Sequence, residues 1–415
     1  MDDFCYRDLI QQWHNGVVIG GLNVDKIIKK FATPTFVYDL EIVEKKYQML
    51  RTKLAKNVKM FYALKANGNL AVAEKLANLG CGADIASFGE FLIARKARFR
   101  EIIFSGPGKQ ELEIKNVGTI GSYHVESMEE ARIIAKLFPN QQVGIRINAS
   151  FEVKNGIFSA TGGPQKFGID EEKAVESIKE MKKLGLTIVG LHCYAASGVL
   201  DVGLIIKNVE RIMGLADRLE KELEIVFKYV DIGGGLGVPY KDEEKPVDIE
   251  KFCNYVNKIA ERREIWIELG RFLVAESGIF IMKIVDIKES RGQKITITDG
   301  GVHNLLRPAI YGQHPIIAIK APAIGEERYE IGGPLCTPMD FLAKDAKLPE
   351  LHIGDNLAVL NAGAYGFSEG MTFFLMHPIA AEVSVERGTI VKARAKIPAE
   401  KYMKWLEGED GTKNK

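Results

Sequence analysis

The sequence predicts an α/β protein: a (β/α)8 barrel of the TIM type followed by a mostly antiparallel β domain. Three observations carry this. Short apolar segments alternate with amphipathic ones at Phe61–Leu64, Ala83–Ala86, Ile102–Phe104, Tyr123–Val125, Val143–Ile147, Ile188–His192, Tyr229–Ile232 and Ile265–Glu268, the rhythm of parallel strands joined by helices. Polar or glycine-rich groups follow each segment, as at strand ends that a barrel gathers on one face. Past about Gly278 the alternation stops and β-rich stretches take over, at Ile279–Ile287, Lys294–Thr298, Ile316–Ile319, Leu357–Leu360, Ala381–Val385 and Thr389–Ala395. A doubly wound sheet shares the alternation, and spacing alone does not separate the two.

In chain order, residues 1–38 form an N-terminal segment whose strand, Thr33 to Tyr38, is expected to join the β domain. A helical stretch runs on to about Leu54. The barrel is assigned to residues 39–276 and the β domain to 277–407. The small, charged residues 408–415 are expected to be disordered.

At 415 residues the chain is too long for one small core, so two domains are the natural expectation. A net charge of +1 provides no field to attract a polyanion, which argues against nucleic acid. No apolar run approaches a membrane span and no signal-peptide pattern opens the chain, so a cytoplasmic protein is expected. Cys5, Cys81, Cys193, Cys253 and Cys336 are scattered without a CxxC pair; they read as free thiols, with neither a disulfide framework nor a metal site.

The chemistry starts at Phe61-Tyr62-Ala63-Leu64-Lys65-Ala66-Asn67, where an apolar run ends in a lysine. Such an amine is costly unless neutralised, paired or covalently used. It reads either as an ion-paired strand-end lysine or as the amine of a Schiff base. Asp231-Ile232-Gly233-Gly234-Gly235-Leu236-Gly237 follows a strand late in the barrel, where bare backbone N–H groups suit a phosphate. In Glu268-Leu269-Gly270-Arg271 a carboxylate and a guanidinium lie close together at the last barrel strand. They read as a surface ion pair or, separately, as the partner of a protonated ring nitrogen and a phosphate contact.

Together with Gly333-Pro334-Leu335-Cys336 and Gly363-Ala364-Tyr365-Gly366, these motifs resemble, in order and over nearly the whole chain, the alanine-racemase-fold (fold type III) pyridoxal-phosphate decarboxylases. That family includes the diaminopimelate, ornithine and arginine decarboxylases. The resemblance implies that Lys65 holds pyridoxal 5'-phosphate as a Schiff base, with Asp84 beside it and Glu268 at the pyridinium nitrogen. Ser197, the Gly233, Gly234 and Gly235 backbone, Gly270 and Arg271 would hold the phosphate end, with Arg146 and His192 also at the cofactor. Cys336 and Tyr365 would reach the partner's site in a head-to-tail homodimer, Cys336 returning a proton to the α-carbon. Lys166 and Asp340 match a pair that bridges subunits in relatives.

Three departures bear on the substrate. In His192-Cys193-Tyr194-Ala195-Ala196-Ser197, Tyr194 stands where relatives stack a histidine on the ring, and an aromatic face can serve there. Thr337 replaces the acidic residue that meets a distal amino group. After Gly366, Met371-Thr372-Phe373-Phe374-Leu375-Met376-His377-Pro378 resembles the subgroup acting on aminoacyl groups tethered to an acyl-carrier protein. By contrast, Arg307 and Tyr311 lie in a stretch of the diaminopimelate type and would grip a substrate carboxylate. An amino-acid racemase, a non-catalytic pyridoxal-phosphate-binding barrel and a Schiff-base aldolase are the competing readings. A ring-nitrogen carboxylate argues against the first and the last, and the second domain against the non-catalytic barrel.

Overall fold

The computed structural model describes residues 17–151, 158–159, 161–312, 314–320 and 322–407. The expected disordered tail, 408–415, lies outside them. The chain divides into two compact units, one comprising Glu44–Pro239 and Lys245–Leu273, the other the described residues up to Val43, Tyr240–Glu244 and those from Val274 onward.

After a short antiparallel pair, Val18–Ile19 with Leu22–Asn23, the strand β1 (Thr35–Asp39) belongs to the second unit. The barrel unit is built from β2 (Val58–Ala63), β3 (Gly82–Ile85), β4 (Ile102–Phe104), β5 (Ser122–Val125), β6 (Gln142–Asn148), β7 (Thr187–His192), β8 (Tyr229–Asp231) and β9 (Glu264–Leu269). Each pairs in parallel with the next, and β9 pairs with β2 through Glu268↔Phe61 and Leu269↔Tyr62, which closes the barrel. The doubly wound alternative is thereby set aside. Short polar side chains start many of the intervening helices. Asn69, Ser87, Ser127, Asp201 and Asp248 each accept a backbone N–H from the first helical turn, satisfying donors that have no intrahelical partner.

Side chains alternate in and out along each strand, so residues two apart share the barrel interior. The lower interior is aromatic. Phe61, Ile103, Val189, Tyr229 and Trp266 form one buried cluster, and the Tyr229 and Trp266 rings stack with centroids 3.4 Å apart. Tyr229 fits because β6 and β7 present glycines to it. A Cβ on Gly190 would stand 2.1 Å from its Cζ, and one on Gly144 2.5 Å from its hydroxyl.

In the second unit, β1 pairs with two strands: β10 (Gly278–Ser290), antiparallel, and the later strand Ala381–Glu386, in parallel. The N-terminal strand thus sits in the β-rich sheet. Two strands absent from the sequence reading, Glu327–Gly332 and Phe341–Leu348, pair with each other through register shifts at Tyr329/Ile331 and Ile331/Gly332. Those irregularities, and Asp345 at φ 57, break the period-2 pattern that would have marked them. Among the described residues no helix is long and apolar enough to cross a membrane.

Gly190→Ala is expected to destabilise the protein by about 1–3 kcal/mol, because the methyl meets a rigid ring in a filled layer. The shift of the urea midpoint measures it; an unchanged midpoint would show that the aromatic layer yields.

Candidate active site

Two residues further along the strands, the interior changes character. Asp84 on β3, Ser105 just past β4, His124 on β5, Arg146 on β6, His192 on β7, Asp231 on β8 and Glu268 on β9 are all buried. Barrels usually fill such positions with branched apolar side chains. A polar layer here is costly to bury and demands internal partners.

Lys65 lies on a 3-10 turn, Leu64–Ala66, that directly follows β2. Its Nζ is 2.9 Å from Asp84 Oδ2, with the lysine side chain 44% exposed and the carboxylate 1%. Burial, then the Glu268 charge, raises the Asp84 carboxyl despite the lysine beside it. Glu268 Oε1 accepts from Ser105 Oγ at 3.2 Å and lies 3.5 Å from His192 Nε2 and 3.8 Å from His124 Nδ1. The two imidazoles lie with centroids 4.5 Å apart. Burial holds both well below the ordinary histidine range, reinforced by His192 for His124 and by Arg146 for His192, so both are neutral. Burial, then Glu268, likewise raises Asp231 far above a normal carboxyl. One ligand atom from each of His124, His192, Asp231 and Glu268 falls within 4.8 Å of the others, a spacing that could hold a metal ion. The sequence reading expected no metal and did not see this cluster.

Beside the layer runs the glycine loop. Gly233 and Gly235 have φ of +67° and +109°, and a Cβ on Gly234 would lie 1.9 Å from the Glu268 carbonyl. A side chain at any of the three would fill the cradle or strain it. Tyr194, half-buried, stands against this loop: its Cδ2 is 2.9 Å from a Cβ built on Gly233. Ser197 is buried in a two-residue strand with Ala196, and Val199 N–H donates to Gly235 O at 2.8 Å. Arg271, also buried, begins a short helix after Gly270. The fold therefore gathers Ser197, the glycines and Arg271 at the C-terminal ends of neighbouring strands, a glycine-walled cradle that suits a phosphate. Beneath it, Asp84 Oδ1 and both His192 ring nitrogens have no hydrogen-bond partner among the described residues, as a layer built to meet a polar ligand would leave them.

Arg146 is committed sideways. Its Nη1 donates to Glu126 Oε1 at 2.9 Å, and its guanidinium lies 4.8 Å from the Phe167 ring centroid. Glu90, unnoticed in the sequence, accepts the Ala86 N–H at 2.7 Å. Its carboxyl is pushed up to about 7 by burial, with the Asp84 charge adding to this and the Ala86 N–H opposing it.

The second unit carries the remaining candidates. Cys336 is exposed and Thr337 half-buried. The buried Arg307 donates to Glu369 Oε2 at 2.9 Å, and its guanidinium lies 4.5 Å from the Tyr311 and 5.0 Å from the Tyr365 ring centroid. Tyr365 adopts a left-handed backbone, φ 55. Asp340 accepts the backbone N–H groups of Val302 and Leu335, both at 2.7 Å.

A closed barrel with a lysine, a carboxylate layer and a glycine cradle at its strand ends defines a pyridoxal-phosphate enzyme of the barrel type. The family model described as pyridoxal-dependent decarboxylase, pyridoxal binding domain, matches residues 40–275, and the chain belongs to that family. It is a carboxy-lyase of the fold type III decarboxylases, with pyridoxal phosphate as cofactor. It is 34% identical over 399 residues to a diaminopimelate decarboxylase of Aquifex aeolicus, covering 93% of this chain and 94% of the relative. It is 32% identical over 403 residues to an L-glutamyl-[BtrI acyl-carrier protein] decarboxylase of Niallia circulans, covering 91% and 94%. The structure of diaminopimelate decarboxylase from Helicobacter pylori complexed with L-lysine superposes with a TM-score of 0.85 at 31% identity, over 93% of this chain and 100% of that one.

Glu90 supplies a pH test. A carboxyl whose folded pKa is raised from 4.5 to about 7 binds more protons folded than unfolded in that window, so its contribution to stability falls as pH rises from 4.5 to about 7. Glu90→Gln is expected to lose less stability than the wild type across that range, read from thermal midpoints at successive pH values. Parallel curves for the two proteins would show that Glu90 titrates normally.

Proposed function

We propose that Lys65 is the amine that holds pyridoxal phosphate and that the polar layer beneath it tunes the cofactor for removal of an α-carboxylate. The observation that carries this is Lys65 Nζ, 2.9 Å from the buried Asp84 carboxylate, over the layer that contains Glu268. Bound there, pyridoxal phosphate supplies an electron sink for the pair left behind when carbon dioxide departs. Glu268 holds a proton on the ring nitrogen, and low solvation strengthens that pairing. The Gly233–Gly235 backbone, the Ser197 hydroxyl, Gly270 and Arg271 hold the phosphate. Tyr194, lying against the loop, offers its face to the ring, while His192 and Arg146 line the layer. Asp84 orients the Lys65 amine.

The exposed Cys336 thiol returns a proton to the α-carbon at the site of a partner subunit, in a cytoplasmic homodimer that Tyr365 helps complete. The resemblance to head-to-tail dimers supports this, as does an unburied thiol in the single chain. A mixture of Lys65→Ala and Cys336→Ala proteins is expected to recover activity that neither has alone. Failure of every mixture to recover any would place both residues in one subunit's site.

The substrate we infer is an aminoacyl group whose far end carries no amine, such as a glutamyl group on a carrier protein. Thr337 supports it, because a hydroxyl cannot supply the charge pairing that a distal ammonium requires. The Niallia circulans relative acts on such a group. Free diaminopimelate is the second reading, favoured by Arg307 between the rings of Tyr311 and Tyr365, a place suited to a carboxylate. Carbon dioxide release from free and carrier-bound glutamate, diaminopimelate, lysine and ornithine decides between them; turnover of diaminopimelate with none of the glutamyl carrier would refute the inference.

Lys65→Ala is expected to lose the visible absorbance of the bound cofactor and turnover together. A variant that keeps both would overturn the assignment of the amine.

A further inference from the structure

Ser105 and His124 have no place in the reading above, yet both touch the group on which it depends. Ser105 Oγ is 3.2 Å from Glu268 Oε1 and 3.0 Å from His124 Nδ1. A serine hydroxyl has one proton to give, and Asp84, which also lies within reach of it, is already served by the Lys65 amine at 2.9 Å. If it were donated to His124, the hydroxyl lone pairs would face Glu268 Oε1, and the contact would be attractive only with a protonated carboxyl. If it is donated to Glu268, the contact suits a carboxylate and the hydroxyl accepts from His124 Nδ1–H. The second arrangement leaves the His124 Nε2 lone pair toward Asp231 Oδ2, 3.9 Å away. Asp231 Oδ1 is taken by the Gly233 N–H at 2.8 Å, so Oδ2 is the oxygen turned to His124.

We propose that Ser105 and His124 are positioning residues that form a directed chain, His124 Nδ1–H to Ser105 Oγ and Ser105 O–H to Glu268 Oε1, which fixes the orientation of the Glu268 carboxylate. This rests on the reading that Glu268 faces the cofactor's ring nitrogen. The charged or titratable groups around the pair include Asp84 on β3, Lys109, whose Nζ donates to His124 O at 2.9 Å, Arg146 on β6, His192 on β7, Tyr229 and Asp231 on β8 and Lys65 above; His192 and His124 lie 3.5 and 3.8 Å from Glu268 Oε1, farther than Ser105 at 3.2 Å. Ser105 therefore sets which oxygen is occupied and the plane in which the carboxylate lies. A metal ion held by the same cluster would need a Glu268 oxygen and a His124 nitrogen, and Ser105 already engages one of each.

The test uses holoenzyme reconstituted with pyridoxal phosphate labelled with 15N at the ring nitrogen, whose chemical shift reports protonation directly, together with titration of cofactor affinity. Ser105→Ala is expected to move the nitrogen signal toward its unprotonated position and to weaken cofactor binding about tenfold, the loss of one hydrogen bond to a charged group. Ser105→Thr, which keeps the hydroxyl, is expected to restore both, and His124→Phe to shift the signal in the same direction as Ser105→Ala. Glu268→Gln calibrates the full effect. A wild-type nitrogen signal in Ser105→Ala, with Glu268→Gln shifted, would overturn the chain while leaving Glu268 in its role. An unshifted signal in Glu268→Gln would instead defeat the reading of Glu268, and the chain with it. Should Ser105→Ala not fold, Ser105→Cys, of similar size and a weak donor, takes its place with the same outcomes.

Discussion

The structure depends on burying a layer of ionisable side chains inside a barrel. Asp84, Asp231 and Glu268 lie near one another in a dry interior, where like charges and lost hydration both oppose ionisation. The protein answers by spreading few charges over many partners. Burial pushes both histidines down and Asp231 up, Lys65 stands over Asp84, and Ser105 gives its hydroxyl to Glu268. Beneath, the stacked Tyr229 and Trp266 close the interior with a close-packed aromatic layer. A cofactor with a cationic ring and an anionic phosphate complements both faces of such a site, the layer below and the cradle beside it.

The glycines serve two distinct ends. At Gly190 and Gly144 the missing Cβ makes room for the Tyr229 ring, so the benefit is packing within the barrel. At Gly233, Gly234 and Gly235 it lets the backbone come close to the neighbouring strand and to whatever occupies the cradle, so the benefit is recognition. The first pair lies on β6 and β7, and the loop of the second set follows β8, the strand that carries Tyr229.

What could be read from the sequence follows from how each signal is written. The barrel strands and the N-terminal strand of the second unit are apolar runs bounded by turn residues; most were found within a residue or two, and β2 starts three residues before the expected Phe61. Lys65, Glu268 and the Gly233 loop end their runs with an unmistakable change in chemistry. Ser105 and Asp231 stood out only as polar residues at strand ends, without a role, and His124 escaped altogether as a single polar residue in an apolar strand; only the i, i+2 alternation read jointly over several strands would have lined the three up. Glu90 escaped for another reason. It sits in the first turn of a helix, where acidic residues are expected on dipole grounds alone, and only burial distinguishes it.

The second unit is arranged so that one position can change without moving its neighbours. Asp340 receives the N–H groups of Val302 and Leu335, and a Cβ on Gly301 or Gly333 would come within 2.4 or 2.5 Å of its carboxylate. The turn bearing Cys336 is thus fixed through backbone groups. Residue 337 takes part through its carbonyl, which accepts the Asp340 N–H at 3.1 Å. Its side chain makes only a 3.5 Å contact with the Met339 N–H. A carboxylate or a hydroxyl can occupy that site on the same backbone. An exchange there alters the side-chain chemistry of the turn while its backbone bonds, and Cys336 beside it, stay in place.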